Sequence, residues 1–193
     1  EDAAVLAGGG AHLVGASLGA AAALCAALAR PERVRSLVLL APVVVPGVRL
    51  RAVLEAWALL ASRLDAEELA QALLPWLFSS RWLDDPERRA RAAGGFAAMT
   101  ARVPHDTLRR MVRGLADWPG FGRASVASLR VPTLVVTAGE DVLTPEAGRL
   151  ADWIEGARRV DVAESGHALT LEAPERVESA IRQHWERVRG ERE

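Results

Sequence analysis

One cysteine, Cys25, stands in the whole chain, which excludes an internal disulfide framework. It falls two helical turns beyond Ser17 in an apolar stretch, so a buried, inert thiol is expected there. Lysine, tyrosine and asparagine are absent, and the 24 basic residues are all arginine. With the abundant alanine, this matches the codon bias of a high-GC genome and carries no functional meaning. An excess of either charge is also lacking. The basic residues nearly balance 25 acidic ones, for a net charge of −1. That balance gives no basis for a nucleic acid or an anionic membrane surface as partner. No apolar run approaches the length of a membrane span, and no signal peptide is visible. A cytoplasmic location is therefore expected. The four histidines are scattered and the cysteine stands alone, so no metal-ligand cluster forms. Neither a dinucleotide nor a Walker fingerprint occurs. No cofactor is expected.

What is present starts with bulk. In 193 residues, half hydrophobic and a quarter charged, the chain can bury a core as one domain, or one with an insertion. An apolar run, Leu13-Val14, leads into Gly15-Ala16-Ser17-Leu18-Gly19, and an Ala-rich helical stretch follows over 20–30. A serine on such a strand–turn–helix junction is a nucleophile elbow. Both glycines are expected to be there for steric reasons, because strand and helix pass close on either side. The turn lifts the Ser17 hydroxyl and aims the N–H of Leu18 at the carbonyl to be attacked.

Residues 1–7 read as the end of a helix, and Gly8-Gly9-Gly10 as a turn into the first strand. A second strand is predicted over 34–41, where continuous apolar residues fit a parallel strand covered on both faces. From about 47 to 121 the pattern is helical. Helices are expected over 50–64 and 66–78, with Asp65 as N-cap between them and Glu67 and Glu68 in the first turn. Another opens around Pro86, and Asp106 is expected to cap one over 107–115. Four of the six tryptophans, Trp57, Trp76, Trp82 and Trp118, fall in this block. At least half of them are expected to be ordinary helix packing. Strands return over 131–139 and 157–162, with a helix between them capped by Thr144 and running to about 155. Glu172-Ala173-Pro174-Glu175 opens the last helix.

Alternating strands and helices give a mostly parallel sheet, with sites at the C-terminal strand ends. Ser17, Asp141 and His167 sit at three such ends. Asp141 has a rival in Glu140. His167 has three: His12, His105 and His184, which read as surface or packing histidines. Asp161, inside a strand, reads as structural.

The motifs carry a resemblance. Residues 15–19, the Val131-Pro132-Thr133 strand with Gly139-Glu140-Asp141 and Thr144-Pro145, and Ser165-Gly166-His167 with Leu171-Glu172-Ala173-Pro174-Glu175 together resemble the α/β-hydrolase superfamily. Ser…Asp…His is that family's chain order. The resemblance implies Ser17 as nucleophile, His167 as general base and then acid, and Asp141, in preference to Glu140, as the group orienting the imidazolium. Serine at the elbow points away from the haloalkane dehalogenase and epoxide hydrolase branches, which use aspartate. The implied fold is α/β: about four parallel strands flanked by helices, with a helical cap inserted. Core segments are expected at 1–48 and 122–193, and the cap at 49–121.

The implied activity is hydrolysis of a carboxylic ester, thioester or lactone through an acyl-enzyme on Ser17. C–C bond hydrolysis or acyl transfer on the same residues, and a truncated non-catalytic module, are the alternatives. A cap rich in tryptophan implies a small-molecule, partly hydrophobic substrate. The resemblance also implies strands before the elbow that the sequence does not contain. The Leu18 N–H is then one oxyanion donor, and the second is missing from the chain. The elbow strand is expected to become an apolar edge, through which the chain self-associates.

Overall fold

The computed structural model describes residues 10–190, and of His105 the backbone alone. The expected helix over 1–7 and most of the Gly8–10 turn lie outside the described residues. Four strands, β1 (Ala11–Ala16), β2 (Val34–Leu40), β3 (Thr133–Ala138) and β4 (Arg158–Val162), form one parallel sheet. Their spatial order equals their chain order, β1-β2-β3-β4. Helix α1 (Leu18–Ala29) joins the first two strands through a 3-10 turn, Pro31–Arg33. Six helices lie between β2 and β3: α2 (Val48–Leu60), α3 (Ala66–Leu77), α4 (Ser80–Leu83), α5 (Pro86–Thr100), α6 (His105–Asp117) and α7 (Arg123–Val126). Helix α8 (Arg149–Trp153) precedes β4, and α9 (Leu169–Glu172) and α10 (Pro174–Gly190) end the fold.

The two central strands, β2 and β3, are largely apolar because both faces are covered. Strand residues alternate between the two sides of the sheet. Leu37, Leu39 and Val135 pack with α1 residues Ala20, Leu24 and Ala27 and with Leu150 and Ile154. Val38, Leu40, Leu134 and Val136 pack on the other side with Leu169, Val177 and Ala180. Helices α2 to α6 share a second core, built on Leu50, Val53, Leu54, Leu69, Leu73, Leu74 and Phe78, while Val126 of α7 packs in the core beneath α1. All four tryptophans of that block lie partly buried against the second core.

Several local expectations hold. Asp65 caps α3 through the N–H groups of Glu67 and Glu68, and Glu68 bonds back to the Asp65 N–H in a capping box. Others need correcting. Asp106 caps nothing: α6 already begins at His105, with Pro104 at its N-cap. Cys25 is exposed. The buried stripe of α1 is Ala20, Ala21, Leu24 and Ala27, and Cys25 falls on the other side of the helix. Composition alone could not place it, because α1 is apolar all round. Gly19 also differs from expectation. A Cβ at Gly15 would collide with the backbone of Gly19 and Ala20, whereas one at Gly19 meets nothing. The turn needs only one of its two glycines for space. Among the described residues, strand β1 pairs on one side only, with β2, and Val14 stands 46% exposed on it.

None of the helices among the described residues is long and apolar enough to cross a membrane.

Candidate active site

Ser17 sits between the last residue of β1 and the first of α1. Its backbone has φ 52° and ψ −118°, and its N–H is held by the Leu40 carbonyl at 2.8 Å. A non-glycine residue at positive φ costs about 1–3 kcal/mol and persists only where its surroundings enforce it. The enforcing groups here are the bond to β2 and the close passage of Gly15 under Gly19. Leu18 is the first helical residue, so no carbonyl four positions back within α1 is available to its N–H.

The turns after β3 and β4 are locked to each other. The Gly139 N–H donates to Val162 O and the Glu140 N–H to Ser165 O, both at 2.9 Å. Gly139 runs so close to Ala163 that no side chain fits. This crossing carries Asp141 inward, where it is 6% exposed. Glu140, the rival acid, is left exposed.

Asp141 is gripped from four directions. Its Oδ1 accepts the N–H groups of Leu143 (2.8 Å) and Thr144 (3.0 Å). Its Oδ2 accepts the Thr144 hydroxyl at 2.5 Å and lies 2.8 Å from His167 Nδ1. Burial by itself pushes the carboxyl pKa up. The imidazole's hydrogen bond and charge, with the Thr144 bonds, outweigh burial and hold it below the ordinary value. The carboxylate is therefore ionised at neutral pH and only accepts, which fixes the proton on His167 Nδ1. The other ring nitrogen, Nε2, is left as acceptor and lies 2.7 Å from Ser17 Oγ.

Thr144 was expected to cap a helix, but that helix begins only at Arg149. Its side chain is spent on Asp141 instead. The signal that could have found it is the Asp-x-x-Thr spacing, which lets an Asp side chain bond the backbone three residues on.

The structure thus brings Ser17, His167 and Asp141 into one hydrogen-bonded row and leaves His12 and His184 out of it. His12 bonds Ser36 Oγ at 2.7 Å through Nδ1, and its ring lies 5.5 Å from that of Trp185. His184 is 2% exposed on the buried face of α10. Asp161 bonds Thr137 Oγ1 and Arg159 within the sheet. Among the described residues, no group of three or more His, Cys, Asp or Glu is placed to hold a metal ion.

Comparison with known proteins shows the family and the fold. The family model described as "Alpha/beta hydrolase family" matches residues 1–180. A protein of Azorhizobium caulinodans, provisionally named carbamate hydrolase RutD, is 34% identical over 170 residues, covering 86% of this chain. The chain spans 62% of that relative's length. The crystal structure of a hydrolase from Pseudomonas aeruginosa PA01 superimposes with a TM-score of 0.77 at 27% identity, over 95% of this chain and 67% of that one. An enol-lactonase from Burkholderia xenovorans LB400 shares the fold, with a TM-score of 0.78 at 21% identity, over 92% of this chain and 66% of that one. Parallel strands, elbow and matched family model converge: this chain belongs to the alpha/beta hydrolase family.

Proposed function

We propose that this chain carries the catalytic residues of a serine hydrolase acting on a small-molecule carboxylic ester, thioester or lactone. The observation that supports the reading best is the row Ser17 Oγ–His167 Nε2 (2.7 Å) and His167 Nδ1–Asp141 Oδ2 (2.8 Å). Such spacing lets a hydroxyl proton pass to imidazole as the oxygen attacks.

In this mechanism Ser17 Oγ adds to the substrate carbonyl and its proton moves to His167 Nε2. The Leu18 N–H, at the positive end of α1, donates to the developing oxyanion. The tetrahedral adduct collapses, His167 returns the proton to the leaving oxygen or sulfur, and an acyl ester remains on Ser17. Water then attacks, loses its proton to His167 and releases the acid and free Ser17. Asp141 stays ionised throughout and stabilises the imidazolium. The helices over 49–121 serve as a cap, with core segments at 1–48 and 122–193. The cap's tryptophan-rich interior favours a partly hydrophobic substrate. A carbamate is the second substrate class, favoured by the name of the A. caulinodans relative. Its carbonyl is attacked in the same way, with an amine or alcohol leaving.

A fluorophosphonate probe tests the reading. Covalent label on Ser17 is expected, lost in Ser17→Ala and weakened in His167→Ala. A folded chain that takes no label, or that keeps it in Ser17→Ala, would end the proposal. Comparing turnover of ester and carbamate substrates separates the two substrate classes.

A further inference from the structure

Glu172 closes the short helix α9, five residues beyond His167, and its carboxylate is occupied by groups from two other segments. Oε1 accepts the backbone N–H of Gly166 at 3.0 Å and that of Ser79 at 3.1 Å. Oε2 accepts the Ser79 hydroxyl at 2.5 Å. Ser79 is 3% exposed, and its oxygen also accepts the Trp82 N–H as the N-cap of α4. One side chain of the histidine segment thus holds the start of a helix in the inserted block.

The packing around this contact is tight. A Cβ at Gly166 would stand 2.7 Å from Ser79 N and 2.8 Å from Glu172 Oε1. On the other side of His167, the Ala168 N–H donates to the Leu77 carbonyl at 2.8 Å. Both neighbours of the histidine are therefore bonded toward residues 77–79, Ala168 directly and Gly166 through Glu172. The side chain between them is the one that reaches Ser17.

We infer that Glu172 is a positioning residue. It locks the His167 loop to the junction of α3 and α4, so the seating of the inserted helices and the aim of the imidazole form one mechanical unit. The inference rests on the reading of His167 as general base. A carboxylate suits the place because three donors converge on it and it accepts from all three without offering a donor of its own. Glutamine can keep both backbone N–H bonds on its carbonyl oxygen and turn its amide toward Ser79 Oγ. Alanine leaves all three donors without this acceptor. A histidine that has lost its anchoring should miss Ser17 by a fraction of an ångström to an ångström. Misplacement of about 1 Å can cost about a hundredfold in rate.

The test uses the full chain, with wild type, Glu172→Ala, Glu172→Gln, Ser79→Ala and the Glu172→Ala/Ser79→Ala double variant. Two quantities are read as a function of pH: the rate of fluorophosphonate labelling, and the titration of the His167 ring by NMR. Near-ultraviolet circular dichroism confirms folding at the assay temperature. Glu172→Ala should label about tenfold or more slowly than wild type and shift the midpoint of the His167 titration. Glu172→Gln should retain most of the rate, and the double variant should be no slower than Glu172→Ala alone. A folded Glu172→Ala with wild-type rate and titration overturns the inference, as does additivity in the double variant. If Glu172→Ala does not fold, Ser79→Ala decides: an unshifted rate and titration there overturns the inference equally. Wild type that takes no label ends the hydrolase reading. The His167 titration still judges the anchoring by itself, since it needs no reaction.

Discussion

Replacing Thr144 by valine removes one hydroxyl and almost nothing else. The two side chains have nearly the same shape, and both bonds to Asp141 Oδ1 come from backbone N–H groups and survive. His167 keeps its contact with Oδ2. What disappears is the 2.5 Å bond from Thr144 Oγ1 to Oδ2, with a longer 3.4 Å contact to the Ala41 carbonyl, where the threonine is 7% and the aspartate 6% exposed and little solvent can replace it. A hydrogen bond to a charged group contributes about 1.5–3 kcal/mol, so equilibrium denaturation at pH 7 should find the variant less stable by about 2 kcal/mol. The pH dependence has a definite sign. Asp141 has a lowered pKa in the folded chain, so its ionisation stabilises folding above the ordinary carboxylate value. That stabilisation is lost as pH falls through the lowered value. Valine takes away one of the groups that lower it. The stability gap between the two proteins should therefore be widest near neutral pH and narrow below about pH 4. If half of the lost energy is felt when His167 becomes charged, Ser17 labelling slows about fivefold at pH 7. Equal stability at neutral pH, or a gap that persists undiminished in acid, would refute the reasoning.

Two further outcomes are expected. Gly15→Ala should lower stability by about 1–3 kcal/mol or prevent folding, because its Cβ meets the Gly19 backbone, while Gly19→Ala should be neutral or slightly stabilising in thermal melts. A matching loss in both variants would show that the elbow is tight on both sides after all. The one-sided pairing of β1 should make the chain dimerise or aggregate, and Val14→Lys, a charge on that strand, should shift it toward monomer in light scattering. A monodisperse wild-type monomer counts against this.

The fold and the geometry of the candidate site were legible where local pattern and tertiary role coincide. The apolar runs of β2 and β3 could be read because strands buried on both faces need no polar alternation, and their ends then located Asp141 and, after β4, His167. Asp65 was legible because a capping box is a local exchange of bonds. What could not be read depended on distant partners. Cys25 lies on a helix whose two faces have the same composition, so only packing decides which one is covered. Thr144 looked like a helix cap, yet its hydroxyl bonds the buried Asp141 carboxylate. Glu172 read as part of the opening of a helix, whereas its donors lie at Gly166 and, 93 residues back, at Ser79.

The sheet's order, each strand beside its predecessor, sets the sequence in which the chain can assemble. The closures that bring β1 to β2 and β3 to β4 each span about 20 residues, while β2 to β3 spans about 90, an entropic difference of roughly 1.5 kcal/mol. Ser17 lies on one side of that long closure, and Asp141 and His167 on the other. The inserted helices, with a core of their own, can fold first and shorten it. The three residues of the row would then meet only in the last association of an otherwise formed molecule, so gain of reactivity should lag behind the helical signal, most of which the inserted helices supply.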